Sequence, residues 1–172
     1  MKITVINGSP RKDGNTAALV EAFTAGAKDA GHTVTVLNVG RKHINGCYAC
    51  EFCHTKGNGE CAQKDDMQEI YPVIKEAEMI VFASPIYYFT LSAQIQAVIQ
   101  RFYALLAPPM MKKAALIMSS GSPGVYDASI KQYHDLLSYI NVEDMGIITA
   151  FGDENKSEKK LAEARAFGKS LQ

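Results

Sequence analysis

Four cysteines, Cys47, Cys50, Cys53 and Cys61, are the only thiols of the chain, and all fall within the stretch "CYACEFCHTKGNGEC". Their spacing is Cys-x2-Cys-x2-Cys-x7-Cys. Three thiols at two-residue separations can converge on one centre, and a fourth from a glycine-containing stretch can close it. That donor set suits a 4Fe–4S cluster with four thiolate ligands. It also suits tetrahedral zinc, although structural zinc more often takes two separated pairs. Reduced thiols with a structural or redox role are the third reading. A disulfide frame ranks below these, because the chain reads as cytoplasmic, where thiols stay reduced. In "MKITVINGSP" one Lys precedes a short apolar run, and Gly-Ser-Pro stands where the apolar part of a secretion signal would continue.

A second group of residues could hold an anion. In "NGSPRKDGNTAAL", Gly8 and Gly14 permit tight turns, Ser9, Asn15 and Thr16 offer short polar side chains, and Arg11 adds a planar cation. A helix beginning near Thr16 aims its free N–H groups into the same loop, which makes a phosphate cradle. An N-capped turn uses the same residue types, but the combination favours the anion. The Lys-Ser/Thr pair of a Walker loop is missing after Gly14, and so is a Gly-x-Gly-x-x-Gly fingerprint. No cysteine has an Arg six positions later, as a low-molecular-weight phosphatase would require. Asn7 and Ser84 stand where a receiver domain would carry acids.

Two further loops bear on the ligand. In "SPIYYFTLSAQIQ" Pro85 stops the strand, and Tyr87, Tyr88 and Phe89 set three aromatics in a row, which suits a planar, partly polar ring system and equally suits a cap on the core at a sheet edge. "SSGSPGVYD" has glycines and hydroxyls that could close over a ligand or form a flexible turn. The four histidines, His32, His43, His54 and His134, are scattered and read as surface residues. His54 stands apart because it lies in the cysteine loop. No acid–base or nucleophile constellation emerges.

The elements that must position these loops alternate strictly. Apolar β-branched runs at 2–7, 33–39, 79–85, 114–120 and 143–151 read as strands, and amphipathic stretches at 16–31, 66–77, 91–106, 128–140 and 157–172 read as helices. Gly31 is the expected stop of the first helix. Asp65 with Gln68 forms a candidate capping box for the second, and Pro72 interrupts its regularity. Such alternation predicts an α/β fold, a doubly wound parallel sheet of five strands with helices on both faces. The 172 residues suit one domain, with a cysteine-rich loop at 40–65. Ligands are expected at the carboxyl ends of the strands. With 18 basic and 18 acidic residues there is no basic excess to bind nucleic acid, and no apolar run reaches the ~20 residues of a membrane helix.

"NGSPRKDGNT", "SPIYYFTLSAQIQAVIQRF" and the cysteine stretch followed by "KDDM" together resemble the NADPH-dependent FMN reductase and iron–sulfur flavoprotein branch of the flavodoxin-like superfamily. The resemblance covers essentially the whole chain. It implies the strand order 2-1-3-4-5 and bound FMN. Ser9, Arg11, Asn15 and Thr16 would hold the phosphate, Pro85, Ile86, Tyr87, Tyr88 and Phe89 would line the isoalloxazine, and Ser120 and Gly121 would lie near its other edge. It implies an NAD(P)H-dependent FMN oxidoreductase passing electrons to a small acceptor such as a quinone or free flavin. The alternative it implies is an iron–sulfur flavoprotein relaying electrons between FMN, a 4Fe–4S cluster at Cys47, Cys50, Cys53 and Cys61, and a carrier such as ferredoxin. The family is usually dimeric or tetrameric, with the flavin near a subunit interface. Preference for NADPH over NADH would need a basic pocket, for which Arg41, Lys42 and Arg101 are candidates by proximity to the site loops. A non-enzymatic flavin-binding module has no specific support.

Overall fold

The computed structural model describes every residue from Met1 to Gln172. Six strands form in chain order: β1 (Lys2–Asn7), β2 (Thr33–Asn38), β3 (Met79–Tyr87), β4 (Thr90–Leu91), β5 (Lys113–Ser120) and β6 (Glu143–Phe151). Five run parallel in the order β2-β1-β3-β5-β6, and the two-residue β4 folds back antiparallel on the end of β3. The expected order 2-1-3-4-5 is this same arrangement, renumbered because β4 was not anticipated. The helices are α1 (Asn15–Asp29), α2 (Phe52–Thr55), α3 (Met67–Lys75), α4 (Ala93–Arg101), α5 (Asp127–Ile140) and α6 (Glu158–Ser170).

Strand side chains alternate between two helix layers, as a pleat requires. Ile3, Val5, Val81 and Ile117 pack with Leu19 and Phe23 of α1 and Ala164 of α6. Ile6, Ile80, Phe82 and Leu116 pack on the other face with Ile70 of α3, Ile95 of α4 and Tyr133 of α5. Each fully buried side chain of this kind contributes about 1.5–3 kcal/mol of transfer free energy. The two helices of the first layer nearly touch. A Cβ on Gly26 would collide with the Arg165 carbonyl, and one on Gly168 with the Phe23 carbonyl.

Two local expectations are corrected. The single helix expected over 91–106 is broken. Thr90 and Leu91 are taken by the hairpin with β3, Ser92 accepts the Ile95 N–H as a helix cap, and Phe102–Leu105 tightens into a 3₁₀ turn. The capping box at Asp65 forms only by half. Asp65 Oδ1 accepts the Met67 N–H at 3.1 Å, but the Gln68 amide donates instead to the carbonyls of Gln63 (2.6 Å) and Cys61 (3.3 Å). The side chain thus ties the cysteine loop to α3. Pro72 is accommodated within α3, and Gly31 follows the end of α1 at φ +85°. No helix is long and apolar enough to cross a membrane.

Candidate functional site

The loops after β1, β3, β5 and β6 meet at the carboxyl edge of the sheet around a cleft of about 190 Å³. Ser9, Arg11, Asn15 and Thr16 line it together with Pro85, Ile86, Tyr87, Ser120 and Gly121. Tyr88 and Phe89 line an adjoining cleft that shares Ile86, Ser120 and Gly121 with the first. The fold therefore brings every residue named for the cofactor to one connected depression.

The loop after β1 is held from behind. Asn7, almost fully buried, donates to Asn38 Oδ1 at 3.0 Å and accepts the Ser9 N–H at 3.0 Å. Ser9 Oγ accepts the Arg11 N–H at 3.3 Å, and the Gly8 N–H donates to the Ala83 carbonyl at 2.8 Å. The start of α1 is uncapped. Gly14 supplies no side chain, and the N–H groups of Asn15, Thr16 and Ala17 have no acceptor in the protein. Three free donors at the positive end of a 15-residue helix can accept an anion in both geometry and field.

The structure adds residues absent from the sequence-based set. Ser119 Oγ shares a 2.7 Å hydrogen bond with Thr16 Oγ1, so that buried pair supports the cleft floor. Asn155, in the 3₁₀ turn Gly152–Lys156, donates to the carbonyls of Ser120 (2.9 Å) and Gly152 (2.8 Å). Its Oδ1 is buried without a partner, and Asn155 lines the cleft. An orphaned buried acceptor costs about 1–3 kcal/mol, so it marks a place where a donor belongs. The signal for Asn155 was its place after the last strand, where the carboxyl-end rule applies as it does to the other strands. Ser120 lines the cleft while its hydroxyl turns inward to Ser122 O (2.7 Å) and Tyr126 OH (2.6 Å), and Tyr126 in turn donates to Ala150 O. Burial raises the Tyr126 hydroxyl above its usual pKa. Uncapped N–H groups, hydroxyls, one cation and an unpaired acceptor fit FMN, whose phosphate accepts and whose ring edge donates.

The aromatic loop is a two-residue hairpin between β3 and β4. Tyr88 and Phe89 both have positive φ, +47° and +67°, where side-chain-bearing residues are rare. The Phe89 carbonyl accepts Ser129 Oγ at 3.3 Å, which fixes the hairpin to α5. Tyr88 is 97% exposed, so the row of aromatics does not cap the core.

All four cysteines line one small pocket elsewhere, against Tyr71, Arg101 and Tyr103. The cavity is about 20 Å³, and no three His, Cys, Asp or Glu side chains are placed to hold one metal ion. A preformed zinc or cluster centre is therefore not built here, and the thiols are free. Cys53 is the most buried, and burial pushes its thiol up. Arg101 forms the floor. Its guanidinium grips Asp65 through two bonds of 2.7 and 3.2 Å, donates to the Asn45 carbonyl at 3.1 Å, and meets Tyr71 OH at 3.3 Å. Burial opposes the Asp65 charge, but Arg101 and the N–H groups of Asn45 and Met67 outweigh it and hold the carboxyl below its usual range. Burial pushes Tyr71 up to about 12. Arg101 is thus removed from the nucleotide candidates, since both its side chain and that of Asp65 are essentially inaccessible. Lys42 is engaged by Glu69 at 2.7 Å. Among the histidines, His54 stacks edge-on against Tyr103, and none enters the cleft.

The family model for NADPH-dependent FMN reductase matches residues 1–154. An iron-sulfur flavoprotein of Archaeoglobus fulgidus is 33% identical over 141 residues, covering 82% of this chain and 61% of that protein's length. An iron-sulfur flavoprotein of Methanocaldococcus jannaschii is 30% identical over 186 residues, covering 99% of this chain and 95% of that protein. Among solved structures, the NAD(P)H:quinone oxidoreductase from Methanothermobacter marburgensis superposes with a TM-score of 0.78 at 20% identity, covering 100% of this chain and 96% of that one. This last likeness is one of fold.

Proposed function

The chain belongs to the NADPH-dependent FMN reductase family, and from that premise we propose that it binds FMN in the carboxyl-edge cleft, takes hydride from NAD(P)H and reduces a small acceptor such as a quinone or free flavin. The observation that carries this is the uncapped start of α1 opening into one cleft with Ser9, Arg11 and the loops after β3 and β5. FMN, when bound, supplies the two-electron carrier between nicotinamide and acceptor. The protein's part is binding and orientation. The N–H groups of Asn15, Thr16 and Ala17 would hold the phosphate with Ser9 and Arg11, and Asn155 braces the cleft wall by donating to the Ser120 and Gly152 carbonyls. Pro85, Ile86, Tyr87, Tyr88 and Phe89 would line the ring. No side chain needs to act as acid or base, because positioning the nicotinamide over the ring is the main demand of hydride transfer. The test is anaerobic loading with FMN, followed by NADPH and NADH oxidation with quinone and flavin acceptors. Turnover with either nucleotide is expected; none across the acceptor panel sinks the reading.

A second reading has one specific observation behind it, the convergence of all four cysteines on one pocket. It makes the chain an iron–sulfur flavoprotein with a cluster at Cys47, Cys50, Cys53 and Cys61 that relays electrons to a carrier such as ferredoxin. The cysteine pocket would have to open to admit a cluster, and it shares no lining residue with the FMN cleft. The reductase reading therefore comes first. Iron and sulfide counts on protein made without oxygen separate the two.

A further inference from the structure

A second, larger cleft of about 410 Å³ lies at the carboxyl ends of β1 and β2, outside the proposed FMN site. Apart from Pro10 and Gly40, every residue lining it has a polar or cationic side chain, and none is a carboxylate. Arg11, Lys12 and Arg41 converge there, and none of the three forms an ion pair. Lys2, Lys42, Lys131, Lys160, Arg101 and Arg165 pair with carboxylates; what marks this place is that three of the unpaired cations line one cleft that holds no carboxylate. Arg41 is also aimed. Its Nε donates to the Pro10 carbonyl at 2.6 Å, which leaves both terminal nitrogens without a partner. The two loops are locked together at that point, since a Cβ on the buried Gly40 would run into the backbone of Ser9 and Pro10. Asn38, whose Oδ1 is taken by Asn7, keeps its amide donors for the cleft.

We propose that this cleft binds the 2′-phosphate of NADPH, with Arg41 and Lys12 as the residues that separate it from NADH. The inference rests on the reductase reading. A phosphomonoester carries between one and a half and two negative charges near neutral pH, which suits two free cations and an amide. Ser9 and Arg11 line this cleft and the FMN cleft alike, so the two are neighbours across one loop wall. β2 lies two strand positions from β3, roughly 10 Å at the usual strand spacing, and an extended dinucleotide can span that distance. The nicotinamide end then reaches the aromatic loop while the adenosine end lies over Asn38 and Arg41.

The test uses FMN-loaded protein and two variants, Arg41→Ala and Lys12→Ala; Lys12 has no hydrogen bond in the protein to lose. Steady-state rates are measured with NADPH and NADH, and binding of 2′,5′-ADP, 5′-ADP and inorganic phosphate by calorimetry. Expected is a loss of roughly tenfold to a hundredfold in kcat/KM for NADPH with Arg41→Ala, little change for NADH, and a matching loss of 2′,5′-ADP affinity alone. Equal effects on both nucleotides, or none, overturn the assignment. So does inorganic phosphate binding as tightly as 2′,5′-ADP, which would make the cleft a free-phosphate site. Arg41-dependent binding of 2′,5′-ADP without any nucleotide oxidation would sustain the cleft and sink the reductase reading. Brisk turnover insensitive to Arg41 would do the reverse.

Discussion

At the scale of single residues, charge placement separates three arginines that look alike in sequence. Arg11 stands exposed at the mouth of the proposed FMN cleft, Arg41 lines the basic cleft, and Arg101 is sealed against Asp65. Arg11→Ala should weaken FMN binding by about 1.5 kcal/mol, the low end for a charged hydrogen bond because the site is open to solvent. Fluorescence titration of apoprotein with FMN would reveal it, and an unchanged affinity would mean the phosphate lies elsewhere. Asp65→Asn leaves the Arg101 charge buried without compensation and should cost about 3 kcal/mol of stability. The Asp65 carboxyl is held below its ordinary value of 3.8, so its contribution is full above that pH and fades as pH falls through the lower folded-state value. Urea midpoints of wild type and Asp65→Asn should therefore differ most at neutral pH and converge in acid below about pH 4. A gap independent of pH would show that the carboxylate charge is not what matters.

At the scale of elements, the hairpin between β3 and β4 holds two aromatic residues in a conformation that costs each about 1–2 kcal/mol. Such strain at a site loop persists where the surrounding structure over-determines it, here by β4 pairing and the Ser129 contact. Tyr88→Gly should raise the thermal midpoint by relieving φ while weakening FMN binding; scanning calorimetry and flavin titration read the two effects separately. If both fall, the turn conformation is not the strained one. The hairpin was not legible as such. "YYFT" lacks the Asn-Gly signal of a two-residue turn, and the apolar run beyond it reads as one helix until Thr90 and Leu91 are taken by β3. The α1 and α6 pairing makes a companion prediction: Gly168→Ala should lower stability, since its methyl group meets the Phe23 carbonyl with no flexible atom to yield.

At the scale of the whole molecule, the cysteine loop divides the two readings of function. Protein purified without oxygen should show flavin bands near stoichiometric with chain after FMN loading. About four irons per chain, lost in Cys50→Ser with FMN retained, would establish the cluster reading, whereas flavin without iron leaves four thiols. The loop's attachment is tertiary. Asp65 and Asp66 accept the N–H groups of Asn45 and His43, and Gln63 and Gln68 tie the glycine-containing stretch down. In sequence "KDDM" read as a helix cap and as part of the family resemblance, with no sign of the hydrogen bonds by which Asp65 and Asp66 hold the loop.

Strand and helix alternation, helices on both faces of a parallel sheet and the polar loop that opens α1 were legible in the sequence alone, because periodicity and the geometry of a helix N-terminus are local and survive without knowledge of distant contacts. Ser9, Arg11, Asn15 and Thr16 could be named for that reason. Asn155, the Thr16–Ser119 pair, the inward turn of Ser120 and the sorting of Arg41 from Arg101 were decided only by tertiary structure. Each depends on which loops the sheet order brings to one edge and on which cation finds a buried carboxylate, and neither is encoded in the spacing of residues along the chain.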